Sequence, residues 1–530
     1  MKALIICLLL FTSLFGFSAD YNILSYGAKA DGQTINTKAI QDAIDKCSET
    51  GGRVIIPAGT FISGTIILKN NVTLYLMNGA ELKGSPNMKD YPDNTVGTRR
   101  KVFRSLIIAK DAAAISIAGQ GTINGNGASP EFNLGDNTTP GYTGIRPTLI
   151  YMYNCKGVDI LDVSLKNSAF WMENYQGCEN MHIKGVQIFN HANFNNDAID
   201  IDCKNVLIED CTIDSDDDGI CLKSEDKNTP CQNVIIRNCV VASNCNAIKF
   251  GTTSRGGFRN INISNITIHQ ASEDKLRNWQ KHIKFIEQPI TVIAGIAIEN
   301  VDGGFTDNVT INNIYMNDIQ TPIFIKFGNR AAPKDKTTPY TPGYLRNVTI
   351  SNITAVSHSK ITSSITGFPG YDVENVQLSN IKISTMGEGT ADEADAPLPE
   401  KETLYPENRM FGAVLPSSGL YIRHVKGISL QNITLQTRNM DARPAVIMDD
   451  VKDAKIELLA TEETEITNAA LKLVNCENVL WLNPKITKSP FPVLTVDGEK
   501  TQAITITGIS GAKNKIRYSA VVPKGAVTVN

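Results

Sequence analysis

A six-residue phrase recurs along most of this chain, and its spacing limits the fold more than any other feature. The phrase reads small or apolar residue, any residue, Asn or Gly, then alternating apolar positions. It starts at Cys155 (CKGVDI), Cys178 (CENMHI), Cys203 (CKNVLI), Cys231 (CQNVII), Phe258 (FRNINI), Thr306 (TDNVTI), Leu345 (LRNVTI), Val373 (VENVQL), Val425 (VKGISL), Val451 (VKDAKI) and Cys476 (CENVLW). Successive starts differ by 23, 25, 28, 27, 48, 39, 28, 52, 26 and 25 residues, a period in the mid-twenties with insertions at the long gaps. A fixed period of that size is the mark of a solenoid. Each unit holds short β-branched runs that alternate with period two between Asn, Asp, Gly and Ser, without helical heptads or a βαβ rhythm. The expected fold is all-β, a single-stranded parallel β-helix.

A chain of 530 residues would ordinarily divide into several domains, but the phrase runs through most of it, so one elongated domain over 20–530 is expected. The 42% hydrophobic content suffices for a continuous core. A net charge of −3 leaves no basic footprint for nucleic acid. Residues 1–19 read as a signal peptide: Lys2 supplies the charge, Ala3 to Phe17 the apolar stretch, and Phe17-Ser18-Ala19 the cleavage site. That run is too short to span a bilayer comfortably, and no second candidate exists. Export to the periplasm or the extracellular space is therefore expected.

Ten cysteines remain beyond the leader, an even number that in an exported protein invites disulfides. The repeat favours another role. Cys155, Cys178, Cys203 and Cys231 share one phrase position, and Cys211 and Cys239 share another, so they are expected to stack inside the coil. Neighbouring rungs, about 4.8 Å apart, still permit bridges. No CxxC pair occurs and only six histidines are present, so no metal site is expected. Near the start, in a cap region over 20–60, Ala39, Ile40, Ala43, Ile44 and Cys47 fall on one helical face, with Asn36 or Thr37 as cap and Gly51-Gly52 as stop. A short helix there would cover the open end of the solenoid. Insertions at roughly 270 to 294, 328 to 343 and 384 to 418 either wall a cleft or elaborate the surface.

The candidate chemistry lies in NNDAIDI and SDDDGICLKS. Asp217 and Asp218 follow Asp197 by 20 and 21 residues, one rung of coil, which brings the three carboxylates onto one wall. Adjacent strand residues point to opposite faces, so Asp217 and Asp218 share a cleft only where the backbone bends, next to Gly219. An acidic run of this kind also suits a solvated turn or calcium, although EF-hand spacing is absent. Registration with Asp197 favours cleavage of a glycosidic bond.

The segment resembles glycoside hydrolase family 28, the polygalacturonase and rhamnogalacturonan hydrolase family. The resemblance rests on YNILSYGAKADGQTINTKAIQDAIDKC, GGRVIIPAGTF, GTINGNG at Gly121 to Gly127, NSAFW at Asn167 to Trp171, NNDAID, DDGICLKS and the late YPENRMFG and GLYIRHV. It implies a right-handed parallel β-helix that works by inversion without cofactors, on a pectic polysaccharide or oligosaccharide, as a monomer. It also implies Asp217 as general acid, with Asp197 and Asp218 orienting and deprotonating the attacking water. Lys223, Lys249, Asn246 and Trp171 are the expected substrate contacts, with Arg423 and His424 as weaker candidates. Two departures stand out. Asn246 occupies the position of a family histidine, between Cys245 and Ala247 instead of glycines, and Ala297 and Glu299 stand where the family carries an Arg and a Lys. A lyase on the same fold and a noncatalytic glycan-binding β-helix are the rival readings.

Overall fold

The computed structural model describes residues 19–93, 104–132, 146–273, 291–333, 340–461, 468–486, 492–508 and 515–530. Residues 1–18 of the expected leader, 274–290 of the first insertion and 334–339 of the second lie outside these residues. Strands follow one another along a right-handed parallel β-helix, each pairing in parallel with strands one turn before and after it.

The phrase explains itself in the backbone. Its third residue takes a left-handed conformation in all eleven copies, from Gly157 (φ 65°) through Asn205 (φ 59°) and Asn347 (φ 57°) to Asp453 and Asn478. Glycine enters that region freely, and asparagine and aspartate do so more readily than other residues with side chains. The stacked asparagines then bond along the axis: the Asn205 amide donates to Asn180 at 3.0 Å, Asn233 to Asn205 at 2.9 Å and Asn260 to Asn233 at 3.0 Å. The fourth residue points inward. Val158, Met181, Val206, Val234 and Ile261 sit in register on successive rungs, and all are buried. Cys155, Cys178, Cys203 and Cys231 stack beside them, and all ten described cysteines are buried free thiols.

Helix α1 (Thr37–Thr50) covers the first rungs with Ile40, Ala43, Ile44 and Cys47. Asn36 precedes it, but its side chain accepts from the Lys29 amide at 2.7 Å instead of capping the helix. No helix among the described residues is long and apolar enough to cross a membrane.

The 384–418 insertion is ordered. Its Met410, Phe411 and Leu415 join Ala294, Ala297, Phe324, Tyr421 and Ile447 in a second apolar cluster, separate from the main core. Ala297 lies between the core residues Ile296 and Ile298 on its strand, so this cluster sits on the outer face of the coil. The insertion is thus a strap across the rungs that follow the aspartates.

Candidate active site

Asp197 ends a turn just before the strand Ile199–Glu209. Asn196 fixes that turn from a buried position, donating to the carbonyls of Ser168 (2.9 Å) and Phe170 (2.8 Å). Asp217 and Asp218 occupy the bend between Thr212–Ser215 and Ile220–Ser224, where the strand geometry is interrupted as their shared facing requires. The hydroxyls of Ser215 and Ser243 donate to the Asp217 carbonyl at 2.9 and 2.7 Å, and the Asp218 amide donates to Asp217 Oδ1 at 2.9 Å. Gly219 is obligatory there, since a Cβ would stand 2.5 Å from Val241 Cγ1 and 2.7 Å from the Ala247 carbonyl oxygen. Backbone bonds from Ala198 to Asp218 and from Gly219 to Asn246 lock the rungs in step.

All three aspartates line one cleft of about 800 Å³, together with Trp171, Lys223, Asn246 and Lys249. The Lys249 ammonium lies on the cleft wall, 2.9 Å from Asp218 Oδ2. Asn246 donates to the other oxygen, Oδ1, at 2.8 Å. Lys223 stands 3.1 Å from Asp200 and 3.5 Å from Asp197, with its ammonium 5.3 Å from the Trp171 ring centroid. Trp171 also stacks on Phe170, centroids 4.6 Å apart, so it packs on one side and borders the cleft on the other.

These contacts split the carboxyls into two kinds. Burial raises every one of them, because a low-dielectric site disfavours charge. For Asp217 the negative neighbours Asp197 and Asp218 add to burial, and its pKa lies well above the ordinary value. For Asp218 burial is outweighed by Lys249 and Lys223 and by hydrogen bonds from Lys249 and Asn246, which hold it below the ordinary value. Asp197 is raised by burial against the pull of Lys223. Asp200, beneath Lys223, is pushed up to about 8, chiefly by burial. The two neighbouring carboxyls are thus pushed in opposite directions, Asp217 towards keeping its proton and Asp218 towards charge. Cys245 approaches them, its sulfur and an oxygen of Asp217 and of Asp218 lying within 4.8 Å of one another. Burial holds that thiol protonated, and Asp218 already meets Lys249 and Asn246.

Residues that the repeat could not point to complete the wall. The strap contributes Lys401, Leu404, Tyr405, Glu407 and Arg409, and Arg330 comes from the preceding insertion. The signal available for them was the basic and aromatic content of KETLYPENR inside an acidic insertion. Glu299, in the place of a family lysine, is buried, accepts from Thr252 at 3.2 Å and lies 4.0 Å from Lys249. Arg423 and His424 do not reach the cleft: Arg423 engages Glu400 and Asp449, and His424 lies between Glu400 and Asp450 (2.7 Å).

A spiral that lines up paired carboxyls and lysines in one sugar-sized groove defines a β-helix protein of the glycoside hydrolase class. The chain belongs to glycosyl hydrolases family 28, whose model matches residues 47–398. The exo-poly-alpha-D-galacturonosidase of Dickeya chrysanthemi is 32% identical over 251 residues, covering 38% of this chain and 41% of that protein. A probable polygalacturonase of Vitis vinifera is 33% identical over 220 residues, covering 38% of this chain and 44% of that protein. The chain thus spans about two fifths of the length of these relatives. Among solved structures, a family 28 exopolygalacturonase of Yersinia enterocolitica shares the fold, with a TM-score of 0.58 at 20% identity over 87% of this chain and 78% of that one.

Proposed function

We propose that this protein is an exported, inverting glycosidase that cleaves galacturonate-containing pectic chains. The observation that carries the reading is the meeting of Asp197, Asp217 and Asp218 in one cleft, where burial and the neighbouring carboxyls raise the pKa of Asp217 while Lys249 and Asn246, bonded to Asp218, hold that of Asp218 down. Asp217 donates its proton to the glycosidic oxygen as the bond to the anomeric carbon breaks. Asp197 and Asp218 orient a water on the opposite face and take its proton, so the hydroxyl enters with inversion. Inverting pairs usually stand about 6.5 to 9.5 Å apart. The anomer of the product is therefore the sharpest readout of the mechanism. The lysines of the cleft give an anionic sugar a favourable field.

Lyase chemistry would need a neutral base to abstract a proton, whereas Lys223 and Lys249 each face a carboxylate and are held protonated. The strap walls the cleft with Lys401, Leu404, Tyr405, Glu407 and Arg409, which supports attack at a chain end.

The test is incubation with homogalacturonan, rhamnogalacturonan fragments and their oligosaccharides, with product identity and anomer read by NMR. An inverted product, lost in a folded Asp217→Asn variant, is expected. An unsaturated, ultraviolet-absorbing product would replace this reading with a lyase, and tight binding without turnover with a glycan-binding protein. Export is tested by fractionating cells that express the full chain and its 20–530 form.

A further inference from the structure

Most cations along this cleft are engaged by side chains of the protein. Lys223 faces Asp200 and Asp197, Lys249 faces Asp218, and Arg330 holds Asp302 through two contacts of 2.8 and 2.5 Å. Arg409 is buried against the Gln320 side-chain oxygen. Lys401 differs. Its ammonium donates to the Met410 carbonyl at 2.7 Å, and among the described residues no carboxylate lies within ion-pair distance of it. An ammonium has three donors, so the carbonyl leaves two for a ligand. Lys401 is also a non-glycine residue at φ 52°, a backbone position that the surrounding strap has to impose.

Four residues on, Tyr405 presents an aromatic face to the same cleft. It is 56% exposed, and Leu404 beside it is 48% exposed. The ring is nonetheless fixed, because its hydroxyl bonds Thr252 Oγ1 at 2.9 Å and the cations of Lys249 and Arg330 lie 5.9 and 5.6 Å from its centroid. An open, immobilised aromatic face is a platform for the apolar side of a sugar ring. On the coil below, Ala297 supplies no polar group and is covered by the strap.

We infer that Lys401 is a specificity-determining residue that binds the carboxylate of the uronic acid unit in the cleft, with Tyr405 stacking on that sugar. Recognition of the acidic sugar then resides in the strap and not in the coil. The inference rests on the galacturonide reading above and assigns its recognition to named residues.

The experiment compares wild type, Lys401→Met, Lys401→Arg and Tyr405→Ala on trigalacturonate and on its methyl ester. Lys401→Met is expected to raise KM for the acid about 10- to 100-fold, the size of a lost charge-assisted bond, with kcat changed only a few-fold. It should leave the ester unaffected, so the preference for acid over ester collapses. Lys401→Arg should restore most of that preference, and Tyr405→Ala should raise KM for both substrates. An unchanged KM for the acid in Lys401→Met, or an equal loss on acid and ester, overturns the inference. Were Lys401→Met not to fold, the folded Asp217→Asn protein with and without Lys401→Arg would be titrated with trigalacturonate, and binding insensitive to added salt would overturn it instead. If wild type cleaves neither compound but cleaves a neutral oligosaccharide, the substrate reading itself is what fails.

Discussion

Lys249 and Asp218, one rung apart, meet at 2.9 Å with side chains only 6% and 4% exposed. Removing one partner of a buried pair leaves the other charge uncompensated. In Lys249→Met the Asp218 carboxyl should therefore lose its low pKa. The acidic limb of the pH–rate profile should move upward by a unit or more, with kcat lowered on the order of 10- to 100-fold. A variant whose acidic limb stays in place would show that Lys249 does not set this ionisation.

Asp217 and Asp218 together predict a bell-shaped profile. Asp217 works as its acid form and has a raised pKa, so activity falls as pH rises through that value. Asp218 works as the anion and has a depressed pKa, so activity falls as pH drops through it. Asp217→Asn should reduce kcat by about 10²- to 10⁴-fold while leaving oligosaccharide binding intact. Steady-state kinetics and calorimetric titration on the same preparations check both statements.

Buried acids make stability depend on pH. Burial pushes Glu299 up to about 7 and Asp200 to about 8, from ordinary values of 4.5 and 3.8. The folded state then binds more protons than the unfolded one between about pH 4 and 8. The contribution of these groups is complete below that window and is lost as pH rises through it. Urea midpoints should decline across the window, and Glu299→Gln should flatten the decline up to about pH 7.

Gly251 lies within the strand Asn246–Ser254, between Lys249 and Thr252. Its φ is 109°, and a Cβ would stand 2.7 Å from the Glu299 carbonyl oxygen. Gly251→Ala combines backbone strain with a clash against fixed main chain, for a loss of about 2 to 4 kcal/mol. Denaturant titration measures it.

Phe411 helps to anchor the strap to the outer face of the coil. Phe411→Ser should loosen it, lowering kcat/KM on short oligomers several-fold and shifting early products of polygalacturonate from terminal sugars towards longer fragments. Chromatography of the first few per cent of product tests this. An unchanged size distribution would separate the strap from the choice of chain end.

The rungs and the aspartates were legible in the sequence because both follow from local rules. Asn205 and its equivalents mark the left-handed corner, the next residue marks the core, and the 20-residue step from Asp197 to Asp217 marks one turn of coil. Other features were out of reach of such rules. Asn36 satisfies the Lys29 amide through a loop contact that propensity does not encode. Arg423 and His424 lie on a rung whose outer face is claimed by Glu400, a partner from a long insertion. Lys401 and Tyr405 arrive by that same insertion, more than 180 residues beyond the aspartates they face.

By itself the sequence determined the spiral, the stacking of its cysteines and the alignment of three carboxyls, because period and backbone preference act over neighbouring residues and repeat, while the structure showed those cysteines to be free thiols. The tertiary structure alone decided in which direction each carboxyl is pushed and which distant segments wall the groove. Those outcomes depend on burial and on charges brought within a few ångströms by distant segments, and no spacing along the chain records them.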